Sequence, residues 1–212
     1  MTASDAPLPL PPDGYLLRRA EPRDLHDIQS LISGCYADAG FPFDLEDDFE
    51  AHVRAPHTYF TQRGGDFFTL RHETTGHLAA TAALQPQDAP PLSPPDERDH
   101  DAPAGALIHR SDHLNFRTIY VLTESLAILD RTVELKSLYV DPRHRRRGLA
   151  SFLTDLVIAR ARTLERAAVV LWSDVELPDA HKLYDALRFR RIGYRDIRGR
   201  HAFRELGFAI NL

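Results

Sequence analysis

Cysteine is nearly absent from these 212 residues: Cys35 stands alone. No disulfide can therefore form within the chain, and a reducing, cytoplasmic setting is expected. Lysine is almost as scarce, at Lys136 and Lys182 only, with arginine supplying the other cations. No apolar run approaches the roughly 20 residues that a membrane-spanning helix requires. Met1–Pro12 has neither the basic start nor the apolar core of a secretory signal. The net charge is −5, which leaves no broad basic footprint for nucleic acid. Neither Gly-x-x-x-x-Gly-Lys-Ser/Thr nor Gly-x-Gly-x-x-Gly occurs, so two common phosphate loops are excluded.

What is present suits one α/β domain. Hydrophobic residues make up 43% of the chain, enough for a sizeable core. Residues 1–12, rich in Pro and Ala, read as a flexible tail before a domain over 13–212. Tyr15–Arg19 reads as a strand. A helix follows from Pro22 to about Tyr36, with Leu25, Ile28, Leu31 and Ile32 on one face, broken at Gly40-Phe41-Pro42. Leu45–Val53 reads as a second helix. Asp66–Arg71 and His77–Leu84 read as strands joined by a turn at Glu73–Gly76. Val133–Val140, Ala167–Trp172, Arg191–Asp196 and Phe203–Ile210 read as four more, with helices after the first two. Between the third and fourth of these strands lies an insertion, 85–131. Its first part, Gln85–Gly105, is crowded with Pro and Asp and is expected to be flexible; Thr118–Leu129 reads as a strand or a short helix. The insertion is expected either to cover the acceptor side of a site at the start of the fourth strand or to be a disordered segment with no role.

The most informative stretch is Val133–Ala150. It reads as a strand, a short basic loop and then Gly148 opening a helix, whose apolar residues Leu149, Phe152, Leu153, Leu156, Val157, Ala161 and Leu164 recur at helical spacing. A helix start carries unpaired N–H groups and the positive end of the dipole. That end suits phosphate, and a glycine there lets a ligand approach the backbone. Read by itself, the arginine run also fits a solvated basic turn or a nucleic-acid or targeting patch. His109-x-x-x-His113 would place two imidazoles on one face of a helix, but no further ligands complete a metal site.

Arg145-Arg146-Arg147-Gly148-Leu149-Ala150 resembles the Arg/Gln-x-x-Gly-x-Gly/Ala signature of the GNAT superfamily of acetyl-CoA-dependent N-acetyltransferases. The preceding Glu134–Pro142 is similar to that family's fourth strand. Leu171–Asp174 and then Ala180–Phe189 are similar to its fifth strand and following helix, which commonly ends in Leu-Tyr-x-x-x-Gly-Phe. Arg146 and Arg188 stand where the family often has glycine.

The resemblance implies a mixed, mostly antiparallel sheet flanked by helices, carrying the 85–131 insertion. It implies acetyl transfer from acetyl-CoA to a primary amine by direct attack in a ternary complex, without a metal. The pantetheine arm would lie on a bulged fourth strand at Leu138, Tyr139 and Val140, with the Leu138 amide at the thioester oxygen. The pyrophosphate would lie on Arg145, Arg146, Arg147, Gly148, Leu149, Ala150 and Ser151. Tyr184 would be the general acid and Glu134 the base, acting through water; each also has a plain structural reading, Tyr184 as a core tyrosine and Glu134 as an edge glutamate pointing to solvent or an ion pair with Lys136. The remote Cys35 makes a covalent intermediate unexpected. The acceptor, a small molecule or a peptide amine, is open, and a homodimer is compatible. Nucleic acid and membrane are not expected partners. A GNAT fold that binds acyl-CoA as a sensor without turnover is the alternative.

Overall fold

The computed structural model describes residues 8–87, 93–97, 99–111, 116–120, 131–197 and 202–212. In chain order its elements are β1 (Tyr15–Arg19), α1 (Leu25–Ala39), α2 (Ala51–Arg54), α3 (Pro56–Thr61), β2 (Asp66–His72), β3 (Leu78–Gln87), β4 (Leu107–Ser111), β5 (Phe116–Tyr120), β6 (Thr132–Val140), α4 (Leu149–Thr163), β7 (Ala168–Asp174), α5 (Pro178–Ala186), β8 (Arg190–Ile197) and β9 (Phe203–Asn211). The contacts divide the chain into two compact units, Met1–Pro86 with Glu134–Glu165, and Gln87–Val133 with Arg166–Leu212.

In the first unit the strand order is β1-β2-β3-β6. β2 pairs antiparallel with both β1 and β3. Strand β3 is rich in alanine, and Leu78 through Leu84 are all buried. Small side chains on an inner strand let neighbouring layers approach closely, which suits a strand with no solvent face. A core cluster of Ile28, Leu31, Ile32 and Cys35 from α1 joins Val53, Phe60, Phe67 and Ala83. Each fully buried side chain of this kind contributes about 1.5–3 kcal/mol of burial energy. Burial also pushes the Cys35 thiol up to about 11, so it stays protonated and packs as an apolar group.

Two expectations are corrected here. The first helix begins as a 3-10 turn over Pro22–Asp24 and becomes α-helical only at Leu25. The expected helix Leu45–Val53 is instead a 3-10 turn at Asp48–Glu50 running into the short α2, and a further helix, α3, follows. Asp47 accepts a hydrogen bond from the Phe49 N–H (3.0 Å), which makes the approach a turn. Pro56 then removes a donor and holds Ala55 at φ −150, which breaks the path between α2 and α3.

In the second unit the order is β7-β9-β8-β5-β4, and every neighbouring pair is antiparallel. The insertion thus contributes two strands of sheet: β5 pairs with β8 from Phe116↔Ile197 to Tyr120↔Gly193. Residues expected to be flexible also take part. Ser93 bridges Ile108, with hydrogen bonds of 3.0 and 2.8 Å, and Asp99 is buried. His109 lies in a strand, so the helical metal half-site does not form; His113 lies outside the described residues. Residues 121–130, most of the segment expected to be a strand or helix, also lie outside them.

Helices α1 and α5 end in the same way. After α1 the Gly40 N–H donates to Ala37 and the Phe41 N–H to Tyr36. After α5 the Arg188 N–H donates to Asp185 (3.0 Å) and the Phe189 N–H to Tyr184 (2.9 Å). Both are Schellman closures with the residue past the cap in the left-handed region, at φ +78 for Gly40 and φ +65 for Arg188. Phe189 packs back on Tyr184, with ring centroids 6.0 Å apart, as the motif favours. Arg188 is exposed, so its side chain contributes little packing against the strain it causes. Arg188→Gly is expected to stabilise the protein by about 0.5–1 kcal/mol, because the left-handed cost of a side chain exceeds the entropic cost of glycine. A thermal melt should show Tm rising by roughly 2–4 °C per kcal/mol gained.

Candidate active site

Strand β6 is irregular where the resemblance places a bulge. Ser137 sits at φ +51 in mid-strand. Thr81 of β3 secures it, its hydroxyl donating to the Ser137 carbonyl at 2.9 Å. Leu138, Tyr139 and Val140 follow and are half-buried. The Tyr139 ring packs against the core cluster and lies 6.0 Å from the Tyr36 ring, so a ligand at this position would meet its backbone. Glu134, at the start of the same strand, is buried rather than pointing to solvent, and Lys136 Nζ reaches its Oε1 at 3.3 Å.

Asp141 then turns the chain. Its carboxylate accepts from the Arg143 N–H (2.9 Å), Nε (3.0 Å) and Nη2 (2.8 Å), and His77 Nε2 lies 2.9 Å from its Oδ2. The Arg143 guanidinium, aided by His77, holds this carboxyl far below the usual carboxylate range despite burial. Tyr15 closes the other side, its hydroxyl 2.9 Å from His144 Nδ1. The rings of His72 and His77 flank His144 at 5.5 and 5.8 Å. Burial lowers the His144 pKa, which keeps the ring neutral and able to accept from Tyr15.

The loop follows. Arg145 folds back: its Nε donates to the Val140 carbonyl (3.2 Å) and its Nη1 to Asp38 of α1 (2.7 Å). Its guanidinium therefore braces the loop while the side chain stays partly exposed. Arg146 and Arg147 are exposed. Arg146 at φ +61 and Gly148 at φ +77 are both left-handed. A Cβ on Gly148 would find nothing within 4 Å, so this face of the backbone is open. In α4 the first closing bond runs from the Phe152 N–H to the Gly148 carbonyl (2.9 Å), and no side chain caps the end. The N–H groups of Leu149, Ala150 and Ser151 are left for a ligand or solvent. Leu149 itself points into the core, with Leu153, Leu156 and Val157, which anchors the open end. The arrangement fits a pyrophosphate: an open backbone face, free amides and the positive end of a 15-residue helix.

The second unit carries Tyr184. It is buried on α5 against Phe189 and Phe208. Burial, with the Glu205 carboxylate nearby, raises its phenol pKa, so the group stays protonated at neutral pH. Glu205 is itself paired with Arg195 across β9 and β8, and the Arg195 guanidinium lies over the Trp172 ring at 4.9 Å. Trp172 is a packing residue: a Cβ on Gly207 would meet it at 2.5 Å. His181 lies 2.9 Å from the Asp174 carbonyl, which can only accept, so its Nε2 donates and ties α5 to the end of β7.

The sequence profile of the acetyltransferase (GNAT) family matches residues 25–189. The chain belongs to that family. Its fold is shared with solved structures across nearly its whole length. An acetyltransferase from Streptococcus agalactiae has a TM-score of 0.63 at 15% identity, covering 94% of this chain and 99% of that one. The yncA protein of Salmonella typhimurium, solved with its cofactor acetyl-CoA, has a TM-score of 0.57 at 16% identity, covering 94% and 95%. Sequence similarity reaches N-acetylaspartate synthetases: 44% identity over 64 residues of the Danio rerio protein and 42% over 67 of the Homo sapiens protein. These matches cover 30% and 32% of this chain, which spans less than a quarter of either relative, 23% and 22%.

The backbone shows why glycine would suit the two positions where this chain departs from the GNAT motifs. Arg146 and Arg188 occupy positions with φ +61 and φ +65, where glycine is the residue of least strain. Residues missed from sequence are the Asp141–Arg143–His77 clamp and the Tyr15–His144 contact. Asp141-Pro142 carries a turn signal that would have found the first; nothing local signals His77, 64 residues from Asp141.

Removing the Asp141 charge should loosen the loop's entrance. Asp141→Asn is expected to cost about 2 kcal/mol at neutral pH, the scale of hydrogen bonds to a charged group. Because the folded-state pKa is depressed, this stability is present above the unfolded value of about 3.9 and is lost as pH falls below it. Urea midpoints of the native chain should therefore drop through that acid range more steeply than those of the variant.

Proposed function

We propose that this protein is an N-acetyltransferase that moves the acetyl group of acetyl-CoA to a primary amine by direct attack. The observation that carries the reading is the loop Arg145–Ser151: a backbone with two left-handed residues, an open face at Gly148 and an uncapped helix. The amides of Arg146 through Ser151 would receive the pyrophosphate, with Arg146 and Arg147 adding positive charge. The amides of Leu138 and Val140 would hold the pantetheine arm, Leu138 polarising the thioester oxygen as negative charge develops. The amine nitrogen bonds to the acetyl carbon and the carbon–sulfur bond breaks. Glu134 would take the amine's proton through water, and Tyr184 would give one to the departing thiolate. Cytoplasmic residence and a homodimer belong to the same reading. Aspartate is the first acceptor to assay, given the N-acetylaspartate synthetases, with peptide amines next.

Isothermal calorimetry with acetyl-CoA should show saturable binding. Gly148→Glu is expected to abolish it. Gly148→Ala carries the same left-handed strain without the charge, and is expected to lower stability by about 1 kcal/mol while retaining binding. Equal affinity in folded Gly148→Glu would place the cofactor elsewhere.

Tyr184→Phe keeps the packing and removes only the hydroxyl. It is expected to lower kcat by roughly 10²–10⁴-fold with acetyl-CoA affinity near normal. Glu134→Gln is expected to shift the pH–rate profile instead. Full kcat in the first variant would leave Tyr184 a core residue, and an unshifted profile in the second would leave Glu134 an ion-pair partner.

A further inference from the structure

Strand β3 carries one hydroxyl in an apolar run. From Leu78 to Leu84 every residue is buried, and all but Thr81 are alanine or leucine. Burying a hydroxyl is costly unless it is hydrogen-bonded, and valine would fill the same space without that cost. Thr81, at 0% exposure, gives its only proton to the Ser137 carbonyl of β6 at 2.9 Å. Ser137 is the residue at φ +51, where L side chains are strained. Its own Oγ is buried with no partner among the described residues, so the side-chain brace on this peptide comes from Thr81.

The carbonyl of Ser137 and the N–H of Leu138 belong to one peptide group. That group is planar and trans, so its C=O and N–H point in opposite directions. A donor on the oxygen fixes the plane and thereby aims the N–H. It also draws electron density toward the oxygen, which makes the N–H a stronger donor. The frame around this bond is firm. Thr81 lies opposite Thr69 in the β2–β3 ladder, which stays in register from Asp66↔Leu84 to Leu70↔Ala80. Just past β6, the Asp141 N–H donates to the Ala79 carbonyl at 2.9 Å and ties the chain to β3 again.

We infer that Thr81 is a positioning residue for acetyl transfer: its hydroxyl orients and polarises the Leu138 amide that receives the thioester oxygen. This rests on the placement of acetyl-CoA proposed above. As the amine nitrogen bonds to the carbonyl carbon, the π pair moves onto that oxygen. The pair returns as the carbon–sulfur bond breaks and the thiolate leaves. A donor already in place needs no reorganisation when the charge appears, and the burial of Thr81 keeps water from competing for its proton.

The test is difference infrared spectroscopy of the full chain with carbonyl-labelled acetyl-CoA and no acceptor. Binding is expected to move the thioester stretch to lower frequency. Thr81→Val keeps the shape and removes the hydroxyl. It is expected to lose roughly 10–30% of that shift or more, the scale of cooperative strengthening per bond, and to broaden the band. Thr81→Ser keeps a hydroxyl and is expected to restore the shift. Calorimetry should give both variants near-native acetyl-CoA affinity, because the loop at Gly148 is untouched. Should Thr81→Val unfold by circular dichroism, Thr81→Cys, a weaker donor of similar size, takes its place. An equal shift in the folded hydroxyl-free variant, or a loss that Thr81→Ser does not reverse, would overturn the role of Thr81 and leave the cofactor reading intact. Saturable binding with no shift in the native chain would remove the Leu138 contact and this role with it. Absence of acetyl-CoA binding by the native chain would overturn the cofactor reading as well.

Discussion

A helix end that is to accept a ligand must leave its amides unpaired, and an unpaired end is where a chain is least held. The first unit is organised around that conflict. Asp141 fixes the turn before the loop through three bonds to Arg143 and a contact with His77. Arg145 gives up its guanidinium to Asp38 and to the Val140 carbonyl. Leu149 and Leu153, both fully enclosed, sink the first turn of α4 into the core. The helix start is therefore rigid without being capped, and its dipole is not spent on the protein's own side chains.

The same conflict explains why a basic run can be misread. Four arginines precede or enter the loop, yet two of them are structural. Arg143 and Arg145, though exposed, are ion-paired with Asp141 and Asp38, and the charges of Arg146 and Arg147 are the ones not paired to a carboxylate among the described residues. A count of charges in the sequence therefore overstates the positive field of the loop about twofold, and this favours a local phosphate cradle over a broad polyanion surface.

Much of the fold was legible because hydrophobic period is local. The seven-residue apolar list read for α4 and its flank needed only neighbouring residues. What was not legible depends on partners distant in sequence. Strand β5 is short and acquires its identity by pairing with β8, Phe116 opposite Ile197. The break between α2 and α3 lies in a two-residue step at Ala55-Pro56 that apolar spacing does not reveal. Arg146 and Arg188 conceal their backbone conformations because the usual marker, glycine, is absent. In the candidate site the loop amides could be named from the motif. The bracing by Asp38, 107 residues from Arg145, could not.

Two buried tyrosines show how environment separates a structural phenol from a candidate acid. Tyr36 is raised far above the ordinary tyrosine range by burial, with Tyr139 and Glu50 adding to the effect. Its proton is committed: the hydroxyl donates to Glu50 Oε1 at 2.7 Å, and Tyr139 lies behind it at 3.5 Å. Tyr184 is also raised, but burial and the charge of Glu205 account for the shift, with no hydrogen bond contributing. Glu205 is held by Arg195, so its charge is partly neutralised and its geometry fixed. A phenol whose proton is not bonded to a fixed acceptor can offer it as a hydrogen bond to a departing thiolate as charge develops, while its raised pKa opposes complete transfer. That difference, and not burial alone, makes Tyr184 the better candidate for proton transfer of the two.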